Sequence, residues 1–301
     1  MATPRMDEAL KARLMLVLLS LGWGVTWPIM RLALEEIPPV SMRTGAAFFG
    51  AAVLFAFARF SGRDITIPPG LARVHIFVAS LLNIVGFSLF SAFAQLHATT
   101  SRVAFLTYTM PIWSCLLARI VLGERMTANR QIALALCIAG LAVLIYPLAE
   151  HGIPGGLLLA TGAGITWAMG TIYLKWSRSV GDPVGIAAWQ VLVAFFVLGG
   201  AVFFVDGAPQ FWSASGLALT CMVFTGAVGS GISYLLWFEI VRRLPAMTAS
   251  LGILAAPVIG VLSSILLLGE RPTLSDTMGF ALIFAAAVSV LIQPRQAVQE
   301  R

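Results

Sequence analysis

Trp23 and Trp27 stand four residues apart, on one face of an apolar stretch; Asn83, Phe87, Tyr108, Trp167, Ser230 and Tyr234 fall at similar depth in other apolar stretches. Thr26, Ser88, Phe90, Thr107, Trp113, Thr166 and Ser233 accompany them. Rings with a few hydroxyls and one amide suit recognition of a solute with an apolar body and small polar groups. The same residues also suit helix packing and, for tryptophan, anchoring at a membrane interface, so both roles stay open. Bond-making chemistry has no foothold: HExxH, G-x-S-x-G and paired aspartates at membrane depth are all absent. The expectation is a binder of a small molecule that needs no cofactor and is not an enzyme. Cys115, Cys137 and Cys221 lie inside apolar runs without CxxC or Cys/His clustering, which predicts neither a disulfide frame nor a metal site.

Charge is scarce at the centres of these stretches. A charge at mid-bilayer costs roughly 2.5–3.5 kcal/mol on insertion scales, and no Asp, Glu, Lys or Arg falls near a span centre. Arg43, Asp206 and Glu239 come near span ends, where long side chains can reach the interface. Glu239 has Arg242 and Arg243 at i+3 and i+4 and is expected to pair with them. This weighs against a cation antiporter, which wants a buried carboxylate, and against phosphate exchange, which wants buried Lys or Arg. His75, His97 and His151 each fall near an interface, as wetted surface groups.

The elements that must position these residues are membrane spans. Of 301 residues 59% are hydrophobic and 11% charged, and the mean hydropathy of +0.93 lies far from soluble domains. About 20 apolar residues cross a bilayer core as a helix. Ten such runs are legible, at 12–31, 39–60, 74–95, 102–122, 129–148, 154–174, 184–205, 214–237, 246–268 and 275–293. With the N-terminus inside, the cytoplasmic side collects 15 of the 19 basic residues, leaving Arg31, Arg43, Arg102 and Arg271 outside. By the positive-inside rule both termini are expected in the cytoplasm of a bacterial inner-membrane protein. The net charge of +6 then suits anionic lipid headgroups rather than nucleic acid. No small-residue cleavage pattern follows the first run, so it is expected to remain as a helix. In the second run Ala46/Gly50 and Ala47/Ala51 form stripes of small residues suited to close helix packing.

The chain repeats itself. Pro111 precedes Gly123-Glu124-Arg125 with the spacing that separates Pro257 from Gly269-Glu270-Arg271, and Gly24-Val-Thr-Trp27 is echoed by Gly164-Ile-Thr-Trp167. Five spans per half is an odd number, so the second copy enters the bilayer from the opposite side. The fold class is all-α, a polytopic membrane protein with ten transmembrane helices in two inverted five-helix repeats, 1–150 and 151–301. Pro111 and Pro257 should bend helices four and nine and act as hinges. Glu124 and Glu270 should tie loop amides and the adjacent arginine, with Thr127 and Thr273 as N-caps of the helices that follow.

The spans, the inverted repeat and the paired Pro-x12-Gly-Glu-Arg motifs resemble the drug/metabolite transporter superfamily. The likeness is to its EamA-type exporters, whose branches include the YddG aromatic amino acid exporters. It covers essentially the whole chain, and Pro111, Glu124, Pro257 and Glu270 are the positions matching the family pattern. The resemblance implies alternating access and small organic solutes leaving the cytoplasm. With the aromatic, uncharged span centres it leads to export of neutral or aromatic amino acids and related metabolites. Efflux of drugs or other metabolites, and a membrane scaffold that transports nothing, are the alternatives.

Overall fold

The computed structural model describes residues 4–124, 126–147, 155–178, 181–208, 211–243 and 255–291. Among them the regular structure is all helical. In lipid every backbone polar group must be satisfied within the segment, so long apolar runs fold as helices. The elements are α1 (Pro4–Leu34), α2 (Pro39–Phe60), α3 (Leu71–His97), α4 (Thr100–Val121), α5 (Ala128–Ile145), α6 (Gly155–Trp176) and α7 (Pro183–Val205). They are followed by α8, which begins at Gly216 and runs to Arg243, then α9 (Ala255–Leu268) and α10 (Leu274–Leu291). The first eight are long and apolar enough to cross a membrane, and α9 and α10 are shorter. The expected start of the ninth span, 246–254, lies outside the described residues, as do Arg125, His151, Arg295 and Arg301.

Two helices depart from α geometry at matching places. In α3 the segment Leu81–Gly86 is a π-helix, and in α8 the segment Thr225–Ile232 is another. These are the third helices of their respective halves. A π turn widens the helix and rotates everything beyond it, and such turns concentrate at functional sites.

The packing follows an exchange of halves. α2 lies on α7 and α5 on α10; α1 packs on α8 and α9 as α6 packs on α3 and α4. The echoed glycines sit at two of these crossings. A Cβ on Gly24 would lie 2.8 Å from the Ala256 carbonyl oxygen of α9, and one on Gly164 would lie 3.1 Å from the Thr107 carbonyl oxygen of α4. Glycine is what lets each backbone come that close. The small stripe of α2 meets the π segment of α8, where a Cβ on Gly50 would lie 2.9 Å from Ser230 Cβ.

The Gly-Glu-Arg repeats are helix stops. Gly123 and Gly269 take φ of +69° and +66°, the left-handed conformation that closes a helix at glycine. The next amide then turns back: Glu124 N–H donates to the Ala118 carbonyl at 3.2 Å and Glu270 N–H to Ser264 at 3.4 Å. Thr127 accepts from Arg130 N–H, and Thr273 accepts from Asp276 N–H while its own amide donates to the Asp276 carboxylate, a reciprocal cap.

The glutamates reach further than their own loops. Glu270 accepts from the amides of Thr100 and Ser101 at 2.6 and 2.9 Å and from Ser101 Oγ at 2.5 Å, so it caps α4 from the other half of the chain. Arg102 and Asp276 pair beside it at 2.5 Å. Glu124 instead pairs with Lys175 at 2.5 Å and Arg130 at 3.4 Å. Backbone amides were expected as partners, and Glu270 has them, but from 170 residues away instead of from its own loop; the lysine that Glu124 meets comes from 51 residues away, and Arg125 lies outside the described residues. Glu239 pairs with Arg63 at 3.0 Å, and Arg63 also holds Asp182; the side chains of Arg242 and Arg243, its expected partners, lie outside the described residues. His75 is half-buried, with Nδ1 2.9 Å from the Tyr173 hydroxyl and its ring against Trp176, so it is no simple wetted group. His97 is exposed, as expected.

Candidate functional site: a central cavity between the halves

Both halves contribute to a central cavity of about 90 Å³. One water needs about 10–15 Å³ on this measure, so there is room for several waters or one small solute. α1 supplies Trp23, Thr26, Trp27 and Met30, α3 supplies Ile84, Phe87 and Ser88, and α6 supplies Trp167. From α4 come Thr107, Tyr108 and Met110, and from α8 Thr225, Gly229, Ser230 and Tyr234.

The aromatic wall is continuous. Trp167 stacks on Tyr234 at 6.1 Å and 21°, and Phe87 meets Trp167 edge-on at 4.9 Å. Trp27 meets Phe87 at 6.4 Å and Trp23 meets Tyr234 at 6.4 Å. Rings held edge-to-face fix each other's orientation and so present a rigid apolar surface. The π segment of α8 takes part directly: its Gly229 carbonyl accepts from Trp23 Nε1 at 3.1 Å. A carbonyl outside the regular i to i−4 ladder is free for such a side-chain donor.

α4 is interrupted where it borders the cavity. It is helical over Thr100–Thr107 and Met110–Val121, with a turn at Tyr108 and Thr109. Pro111 has no N–H for the Thr107 carbonyl and its ring crowds that carbonyl, which breaks the helix just before it. Thr109 bridges the break: its Oγ1 donates to the Leu106 carbonyl at 2.6 Å and accepts from Trp113 Nε1 at 2.9 Å. Broken backbone at membrane depth is tolerated beside a cavity. Pro257 is the third residue of α9, and the segment before that helix lies outside the described residues.

Seven of the eight residues named from sequence as ligand contacts line the cavity: Trp23, Trp27, Phe87, Tyr108, Trp167, Ser230 and Tyr234. Asn83 does not. It sits in the π segment of α3 against Gly170 of α6, where a Cβ would lie 2.6 Å from Asn83 Cβ. A regular helix would put residues 83 and 87 on one face; the π turn separates them, and Ile84 takes the inward position. Phe90 and Trp113 also face elsewhere, Phe90 against Gly162.

The larger correction is Arg43. Its place as the fifth residue of α2 suggested a side chain reaching the interface, but the long stem carries the guanidinium inward to the cavity wall. It is 9% exposed. Nη2 donates to Ser88 Oγ at 2.7 Å and Nη1 contacts Met30 Sδ at 3.1 Å. The guanidinium carbon lies 5.9 Å from the centre of the Phe87 ring, within range of cation–π attraction. No sequence signal distinguishes an arginine that reaches outward from one that reaches inward.

Comparison with known proteins gives a concordant picture. The profile of the EamA-like transporter family matches twice, over residues 10–146 and 154–292. YoaV of Bacillus subtilis, described as an uncharacterized transporter, is 23% identical over 278 residues, spanning 91% of this chain and 94% of its own length. A probable amino-acid metabolite efflux pump of Escherichia coli is 25% identical over 285 residues, covering 89% of this chain and 90% of its own. A crystal structure of a protein 20% identical in sequence superposes with a TM-score of 0.64, covering 93% of this chain and 96% of that one, and shares the fold.

Proposed function

Because this chain belongs to the EamA-like transporter family, we propose that it exports neutral or aromatic amino acids and related small metabolites through the central cavity by alternating access. Transport across a membrane follows from the family and from the apolar helices; the choice of substrate rests on the cavity wall. The carrying observation is the aromatic surface from Trp27 through Phe87 and Trp167 to Tyr234, built from both halves. A ring-bearing or apolar side chain fits against such a face. The efflux pump of Escherichia coli is similar to this chain over nine-tenths of its own length, in keeping with an amino-acid-like cargo.

The mechanism places the turn at Tyr108 and Thr109 beside the substrate, with the halves of α4 pivoting about Pro111 and α9 pivoting at Pro257, near its start, as the counterpart in the second half. Among the described residues the cavity lining contains no carboxylate or histidine, and transport is taken to run down the substrate gradient without a proton-carrying group in the path. The test is efflux from proteoliposomes loaded in turn with phenylalanine, tryptophan, leucine and a lipophilic cation, with and without an imposed pH gradient. The amino acids are expected to leave in both conditions. Movement of the cation with no amino acid flux overturns the substrate reading, and a strict need for the gradient overturns the uncoupled mechanism.

A further inference from the structure

We infer that Arg43 is the carboxylate anchor of the cavity, so that the solute must bring a carboxylate to it. The inference rests on the cavity being the solute path. Its ground is an imbalance of charge. Arg43 is buried among neutral groups, and none of the ion pairs of the described residues includes it. Each of the other pairs matches an arginine or lysine with an acidic side chain; the neighbours of Arg43 are a serine hydroxyl, a thioether, the face of a ring and the Tyr234 phenol, and none is a carboxylate. Its Nε is buried without any acceptor.

A guanidinium carries five N–H donors and always its charge. Burying it without a counter-ion is costly, and costlier still at membrane depth, where an ionisable side chain persists chiefly for function. A carboxylate entering the cavity supplies both the missing charge and the missing acceptors, in the paired geometry that the planar fork favours. Phosphate fits less well, because a doubly charged group calls for more than one cation and Arg43 is the sole charged residue in the lining among the described residues.

The surroundings fix what accompanies the carboxylate. Phe87 lies under the guanidinium and edge-on to Trp167. An acid group on Arg43 therefore places the rest of the molecule along the Trp167 and Tyr234 stack. This selects zwitterions and acids with an apolar body, and rejects lipophilic cations by repulsion.

The test compares ligands that differ in one group, using the full-length protein in nanodiscs and the fluorescence of its cavity tryptophans. The probes are L-phenylalanine, L-phenylalaninamide, which lacks only the carboxylate, and 3-phenylpropionate, which lacks the ammonium. Loss of one partner of a buried charged pair costs about 30-fold or more in affinity, so the amide is expected to bind at least about 30-fold more weakly than the acid. Arg43→Gln is expected to abolish the difference and Arg43→Lys to retain part of it. Equal binding of acid and amide by the wild-type protein overturns the inference without any variant, as does Arg43→Gln that folds and still discriminates. Binding of 3-phenylpropionate but not phenylalanine, dependent on Arg43, sinks the amino acid reading and leaves the anchor standing. Failure of every carboxylate to bind sinks the anchor.

Discussion

Replacing Glu270 by alanine should cost far more than the same change at its repeat mate Glu124. The Glu270 carboxylate receives the amides of Thr100 and Ser101 and the Ser101 hydroxyl, and both residues are buried, at 1% and 2% exposure. A buried donor left unpaired costs about 1–3 kcal/mol, and the carboxylate also faces the positive end of α4. Truncation is therefore expected to cost about 2–5 kcal/mol, since the two amides lose their acceptor together. Glu124 pairs with Lys175, whose side chain is 63% exposed, and with Arg130. An exposed pair of this kind contributes about 0–1 kcal/mol. Thermal unfolding of both variants in one detergent measures the difference. At about 2–4 °C per kcal/mol, Glu270→Ala should melt lower by about 4–20 °C and Glu124→Ala by less than about 4 °C. Glu270→Gln, which keeps one acceptor oxygen, should fall between. Equal losses at the two mates would refute the reasoning, because identical motifs would then have identical energetics despite their different partners.

Pro111→Ala should leave the fold intact and slow efflux severalfold by restoring continuity to α4; wild-type rates in the proteoliposome assay would make the proline a packing feature only. A Cβ on Gly226 would overlap the Ala46 carbonyl oxygen, so Gly226→Ala should destabilise by about 1–3 kcal/mol, and an unchanged melting temperature would contradict the close approach of α2 and α8. Hydrogen bonding from Lys175 holds the Glu124 carboxyl below its usual value of 4.5. Its folded-state value being depressed, its small stabilisation is present at neutral pH and lost as pH falls through that lowered value. Wild type and Glu124→Gln should then converge in melting temperature in strong acid, and a constant gap down to pH 3 would show that the pairing does not matter. A fluorescent protein fused after Arg301 should be bright and alkaline phosphatase at the same place inactive, with the reverse result turning the topology over.

Hydropathy, charge and turn chemistry act over a few residues, and what depends on them was legible without coordinates. The ten spans follow from runs of apolar side chains, the repeat from matching motifs, and the helix stops at Gly123 and Gly269 from the one residue type that takes their backbone conformation freely. Most of the cavity was legible too, because deep aromatic residues on α1, α3, α6 and α8 leave few other places to point. Tertiary structure decided the rest. The π turn in α3 shifted the helical register, which moved Asn83 off the cavity and Ile84 onto it. Glu124 and Glu270, equal in sequence, acquired unequal partners because one meets a buried helix start and the other an exposed lysine. Arg43 turned inward because α2 sits where its guanidinium reaches Ser88 and Phe87. A side chain long enough to reach either water or a cavity carries no mark of its choice; that is settled by which surfaces the neighbouring helices bring within its length.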